Sequence, residues 1–237
     1  MKTVLHRADT RGHANHGWLD TYHSFSFSSY YNPERMNFGV LRVLNDDRVA
    51  GGGGFGRHPH DNMEIISIPL KGDLAHQDSI GNSGVIKNGD VQIMSAGTGI
   101  YHSEKNNSNT DEVNFLQIWV MPKKKNIEPR YDQISFDPAA RVNRWQRVVS
   151  PEGEGAVWIN QDAYFSLGRL EAGKSLGYEV AREGNGVYAF VLSGNVRIAG
   201  QDLGPRDGMG LWDLKDTEVL ASSDAEVLLL DVPMELN

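Results

Sequence analysis

The sequence predicts an all-β protein of two sandwich-like domains in tandem, with few and short helices. Three observations lead there. Large apolar residues alternate with small or polar ones over short runs, the period of a strand with one buried face. Twenty-six glycines and nine prolines are scattered between those runs and punctuate them with turns. The halves also share a rhythm. An apolar run ends in a Gly-containing turn (IISIPLKGD, then YAFVLSGN), and a later glycine, Gly89 or Gly208, opens another strand. That rhythm suggests an internal duplication.

The elements follow in order. Residues 22–27, YHSFSF, alternate as a half-buried strand, and residues 38–44 repeat the pattern with Val40 and Leu44 flanking Arg42. Residues 65–70 form a β-branched run closed by Lys71-Gly72-Asp73, a turn signal. Residues 91–94 and 115–121 are further strands, and Pro122 closes the last. The chain then turns polar and proline-bearing as far as Arg144, which predicts a division into domains 1–130 and 131–237. One helical turn is expected over residues 138–141. Strands resume at 163–170, 175–180, 187–192, 196–199, 208–212 and 227–232.

Composition removes several classes of function. A net charge of -8, from 31 acidic and 23 basic residues, repels a phosphate backbone, so no direct nucleic-acid partner is expected. The triplet Lys123 to Lys125 is too short to reverse that and reads as a solvated loop. With no cysteine, disulfides, thiolate ligands and cysteine nucleophiles are excluded. The first residues, MKTVLHRADTRGHA, lack the apolar core of a signal peptide. The late apolar run 227–230 is far below the ~20 residues that span a bilayer. A cytoplasmic protein with no membrane partner is expected.

The histidines are the informative residues. All eight lie at or before position 102, so only the first half can hold a histidine-rich metal site. His58 and His60 are separated by Pro59, and residues i and i+2 of a strand share a face. Pro59 lacks a donor, which suits an edge or a strand start. His102 and Glu104 repeat the spacing in GTGIYHSEKN. Three neutral imidazoles and a carboxylate suit one divalent first-row metal with two positions left open. The other histidines read differently. His13 and His16, at i and i+3, do not share a strand face and are expected to hydrogen-bond. His23 alternates with Phe25 and Phe27 as a core histidine, and His76 precedes a polar loop, QDSIGN. Phe55, Met63 and Met94 read as packing, and Trp145, Trp158 and Trp212 as core.

The segment GGGFGRHPH, residues 52–60, with Glu64 after it, resembles the first cupin motif: a glycine, five residues, His-x-His, then a glutamate. Residues 89–97, GDVQIMSAG, followed by His102 and Asn106, are similar to the second motif. Ser95 replaces its usual proline, and the gap to His102 is longer. Those departures, with GRHPHDNMEII, HQDSIGN, GDVQIMSAGTGIYHSE and RGHANHGWLDTYHSFSF, strongly resemble the pirin family and its bacterial, quercetinase-like members. The likeness covers the first half; the second half resembles pirins in length and strand rhythm.

The resemblance implies a bicupin, two double-stranded β-helix domains, with the metal ion in the N-terminal domain and none in the C-terminal one. Carried over by position, the ligands are His58, His60, His102 and Glu104. The expected metal is Fe(II), with Zn, Mn, Ni, Co or Cu as alternatives. Glu64 shares parity with His58 and His60, so an unbroken strand would aim it inward. A fifth ligand would overcrowd the site, and Glu64 is therefore expected to orient a histidine, with a wall salt bridge as the alternative. The implied activity is quercetin 2,3-dioxygenation. A flavonol gives up its hydroxyl proton, reacts with dioxygen, and loses carbon monoxide as its heterocycle opens. Glu104 is the expected base and Glu64 the reserve. Two alternatives stand beside it: a metal- or redox-dependent regulator that binds a protein partner, and another metal-dependent cupin enzyme such as an isomerase.

Overall fold

Short runs with one polar and one apolar face settle into antiparallel sheets that bury the apolar faces against each other. The computed structural model, which describes residues 1–236, contains strands and two 3-10 turns, Ala8–Thr10 and Pro138–Arg141. The second is the helical turn expected from the sequence. Asp137 caps it, its carboxylate accepting from the Ala139 amide.

The strands of the first half are β1 (Lys2–His6), β2 (Gly12–Asn15), β3 (Leu19–His23), β4 (Leu41–Val49), β5 (Gly54–His60), β6 (Glu64–Lys71), β7 (Leu74–Asp78), β8 (Ser83–Ile86), β9 (Asp90–Ser95), β10 (Ile100–Asn106), β11 (Val113–Val120) and β12 (Arg130–Ser135). A seven-stranded sheet runs β12-β9-β6-β11-β4-β3-β2, and a four-stranded sheet, β5-β10-β7-β8, faces it. The second half repeats the plan with another seven-stranded and another four-stranded sheet. This is the two-domain cupin architecture. Strands are exchanged near the ends of the first half: β1 pairs with Gly208–Trp212 in the second unit, and β12, at the expected 130/131 division, pairs with β9 in the first.

The seven-stranded sheets pack against each other. Ile66, Ile68, Leu116 and Ile118 meet Val148, Phe165, Leu228 and Leu230 in one core. The opposite face of the first large sheet closes its own sandwich with two smaller clusters. One contains Leu19, Leu74 and Phe115; the other contains Ile65, Met94 and Ile100. A polar strip divides them and carries the site described below. Polar links also join the halves. Asp46, buried, pairs with Arg206 at 2.8 Å, and Arg11 lies at 3.4 Å on the same oxygen.

Several boundaries differ from the alternation. The strand expected at residues 22–27 ends at His23; Phe25 is buried in the loop that follows, where Ser28 takes a φ of 52°. The strand expected from residue 38 begins at Leu41, because Gly39, at a φ of 53°, turns the chain against the backbone of Pro233. Burial, not strand pairing, made Phe25 and Phe38 look periodic. Trp145, Trp158 and Trp212 are half-buried, not core. The Arg130 guanidinium covers Trp158, 4.4 Å from the ring centroid. Among the described residues no helix is long and apolar enough to cross a membrane.

Candidate metal centre

Three adjacent strands of the small sheet each offer a pair of polar residues two apart: His58 and His60 on β5, His102 and Glu104 on β10, His76 and Asp78 on β7. Register brings them together. His102 lies opposite His58 on one side and Asp78 on the other, and Glu104 lies opposite His76. Directly opposed residues share a sheet face.

The Nε2 atom of His102 is 3.1 Å from that of His58 and 3.1 Å from that of His60. Nitrogens about 2.1 Å from one metal ion, at right angles, stand about 3.0 Å apart. The two separations from His102 thus match neighbouring ligands of one ion, and the three ligand nitrogens all lie within 4.8 Å of one another. The His58 Nδ1–H donates to the Gly56 carbonyl at 2.7 Å, leaving the Nε2 lone pair toward the common centre. Burial pushes His60 down to about 4, with the charge of His58 adding to the effect. His102 is pushed down to about 2, first by burial and then by His58 and His60. Neutral rings are what a metal ion requires.

Glu104 is wholly buried and held at both oxygens. The Ser67 hydroxyl donates to Oε1 at 2.8 Å, and Gln117 Nε2 donates to Oε2 at 2.9 Å. Burial raises its carboxyl to about 7 against those two hydrogen bonds. The ligand atoms form two overlapping triads, His58/His60/His102 and His76/His102/Glu104, each within 4.8 Å. Either could hold a metal ion, and His102 belongs to both. His76 was read from the sequence only as a loop residue; its His-x-Asp spacing, like the two other pairs, was the missed signal. Its Nε2 meets Asp78 Oδ2 at 3.1 Å.

The large sheet answers with the polar strip. His23, Asn45, Gln117, Ser67 and Gln92 lie side by side across β3, β4, β11, β6 and β9. All five are buried. Gln117 and Ser67 are its contacts to Glu104. The strip also left a trace in the sequence: one polar residue sits inside each of IISIPL, VQIM and FLQIWV.

Beside His58 and His60 is a cavity of about 290 Å³, walled by Phe27, Phe55 and Trp119 and by the polar residues Thr21, Asn45 and Asp47. Phe55, read as core packing, is part of this wall. Met94 is fully buried packing, as expected. A second cavity of about 300 Å³ lies between the units, lined by Asp90, Arg141 and Arg206; it contains none of the histidines.

Glu64 is elsewhere. Its Oε2 accepts from Ser95 Oγ at 2.7 Å and from the Asn160 amide of the second unit at 3.1 Å. Its hydrogen bonds reach no histidine, and it does not line the cavity beside His58 and His60. The expectation that it orients a histidine, or serves as reserve base, is corrected. Asn62, at a φ of 44°, turns the chain between β5 and β6, so Glu64 opens a strand of the other sheet and the shared parity is lost. The remaining histidines are also away from the cluster or on the far cavity wall. His13 bonds Asp20 at 2.6 Å and stacks on Tyr22. His16 and the buried His23 line the cavity.

Comparison with known proteins gives a consistent result. Residues 4–120 match the family model described as Pirin, and residues 147–232 match the one described as Quercetinase C-terminal cupin domain. The chain is 45% identical to a quercetin 2,3-dioxygenase of Escherichia coli K12, over 97% of this chain and 98% of that protein. The crystal structure of YhhW from Escherichia coli superposes with a TM-score of 0.94 at 43% identity, covering 100% of both chains. A second crystal structure, of bacterial pirin YhhW in complex with nickel(II), gives a TM-score of 0.92 at 44% identity, covering 98% of this chain and 99% of that one. Similarity of this depth along both halves, on top of the histidine cluster, means that the chain belongs to the pirin family.

Proposed function

We propose that the protein is a metal-dependent dioxygenase of the quercetin 2,3-dioxygenase kind, acting in the cytoplasm with Fe(II) as its metal. The carrying observation is the set of three imidazoles, with the Nε2 atom of His102 3.1 Å from those of both His58 and His60, beside an aromatic-walled cavity. The donor set fits the metal: the His102 Nε2 stands at ligand spacing from both His58 and His60, burial keeps His60 and His102 neutral, and a carboxylate lies beside His102. His58, His60 and His102 would hold the ion, with Glu104 as the fourth ligand. Residues 1–130 then carry the chemistry, and residues 131–237 serve as the scaffold behind the large sheet.

A bound metal would supply a Lewis-acid and redox centre for a flavonol and dioxygen. The chain supplies the rest. Phe27, Phe55 and Trp119 form walls that take up flat aromatic rings and exclude water. Glu104, held by Ser67 and Gln117, accepts the proton of the flavonol hydroxyl. Its carboxyl does not line the cavity, so that proton would reach it from the side of His102, where the two residues would hold the ion. Overall, both atoms of dioxygen enter the products, two carbon–carbon bonds of the heterocycle break, and the carbon between them leaves as carbon monoxide.

The test is oxygen uptake by the Fe(II)-loaded protein on addition of quercetin, with carbon monoxide measured alongside. Stoichiometric uptake is expected. Uptake no greater than that of the H102A variant would overturn the reading.

A further inference from the structure

The cavity wall formed by the large sheet is too polar for packing alone. His23 and Asn45 face each other across β3 and β4, and Thr21 and Asp47 form the next pair on the same face. Asp47 is 3% exposed, and the Thr21 hydroxyl donates to its carboxylate. Three buried polar atoms on residues lining this cavity, His23 Nδ1, Asn45 Oδ1 and Trp119 Nε1, have no hydrogen-bond partner among the described residues. A sheet face that only had to pack would continue the apolar pattern of neighbouring Leu19 and Phe115. Buried polar groups are otherwise paired, so unpaired ones gathered around a cavity point to a ligand that pairs them.

The chemistry of that ligand follows from the walls. Phe27, Phe55 and Trp119, which line the cavity, take a flat aromatic ring. Asp47, Asn45, His23 and Thr21 present a carboxyl, an amide, an imidazole and a hydroxyl, a mixture of donors and acceptors. Phenolic hydroxyls, which donate and accept from a ring edge, match that mixture. Burial pushes the Asp47 carboxyl up to about 7 despite the Thr21 hydrogen bond, with Asp46 and Glu104 adding to the rise. A buried carboxyl at the cavity accepts a hydrogen bond from a ring hydroxyl and is poorly matched to an apolar edge.

We propose that Thr21, His23, Asn45 and Asp47 form the subsite that reads hydroxyl groups on the ring of the substrate that is not at the metal, with Asp47 setting specificity. The proposal rests on the dioxygenase reading and deepens it, naming the substrate class as aromatics hydroxylated on that second ring. A site built to bond a hydroxyl discriminates against the analogue that lacks it, because its own polar groups are then left unpaired.

The experiment compares quercetin with galangin, the flavonol that lacks hydroxyls on the distal ring. Binding to the metal-loaded protein is followed by quenching of tryptophan fluorescence, and turnover by oxygen uptake. Wild type should prefer quercetin by about tenfold in Kd and KM, the worth of one good hydrogen bond. D47L should bring that ratio close to one by weakening quercetin alone. T21V, which keeps the volume of its residue, should lower it part of the way, and D47N should restore part of what D47L loses. A ratio unchanged in both D47L and T21V, or equal weakening of both flavonols, would overturn the subsite. Binding of both flavonols without oxygen uptake would refute the dioxygenase reading while the binding ratio still decides the subsite. Binding of neither would refute both.

Discussion

Gln117 reaches from the large sheet to Glu104 in the small one, its Nε2 donating to Oε2 at 2.9 Å. That bond ties the carboxylate beside His102 to a strand that carries no ligand. Residues that orient a metal ligand typically contribute tenfold to a hundredfold in affinity. Gln117→Leu should therefore weaken Fe(II) or Ni(II) binding by about that factor, as read by calorimetry, while the metal-free protein loses no more than about 1–3 kcal/mol, the cost of one unpaired buried group. Unchanged affinity would show that Gln117 merely fills space.

The two overlapping triads make different predictions for substitution. With the ion on His58, His60 and His102, alanine at any of these should remove metal binding measurable at micromolar concentration. His76→Ala should cost less than about tenfold, the lower end for a group outside the ligand set. Metal analysis after dialysis ranks the four variants. Loss with H76A equal to that with H102A would move the ion to the other triad.

Glu64 should affect stability and leave metal binding alone. Burial raises its carboxyl from 4.5 to about 7, against the hydrogen bonds from Ser95 and Asn160. Between those values the folded chain holds a proton that the unfolded chain has lost, so this group's contribution to stability falls as pH rises through that window. Glu64→Gln removes the dependence. Its stability curve should be flatter than wild type between pH 5 and 8, with a gain of up to about 3 kcal/mol at pH 8. Parallel denaturation curves would refute the assignment.

Arg206 joins the two halves at Asp46. Burial alone would raise the Asp46 carboxyl; Arg206, Asn114 and Arg11 more than reverse that and hold it below its ordinary value. Arg206→Met leaves the buried carboxylate with Asn114 and the more distant Arg11. A loss of about 2–4 kcal/mol in urea unfolding is expected, with metal affinity retained. A neutral effect would mean that water replaces the guanidinium.

The sequence by itself determined the all-β class, through alternation and glycine turns, and the pairs His58/His60 and His102/Glu104, through the two-residue period of a strand. It also confined the cluster to the first half, since the second has no histidine. These properties are local, and a strand imposes them wherever it packs. Tertiary structure decided the rest. It brought β5, β10 and β7 side by side, so that His76 stands opposite Glu104. It aligned Asn45, Gln117 and Ser67 into one strip, although they lie far apart in the chain. It also placed Glu64 in the other sheet, through one left-handed residue, Asn62, and faced it toward the Asn160 amide of the neighbouring unit. Periodicity says which face a side chain takes within a strand. Only the pairing of strands, fixed by the packing of both sheets, says what that face meets.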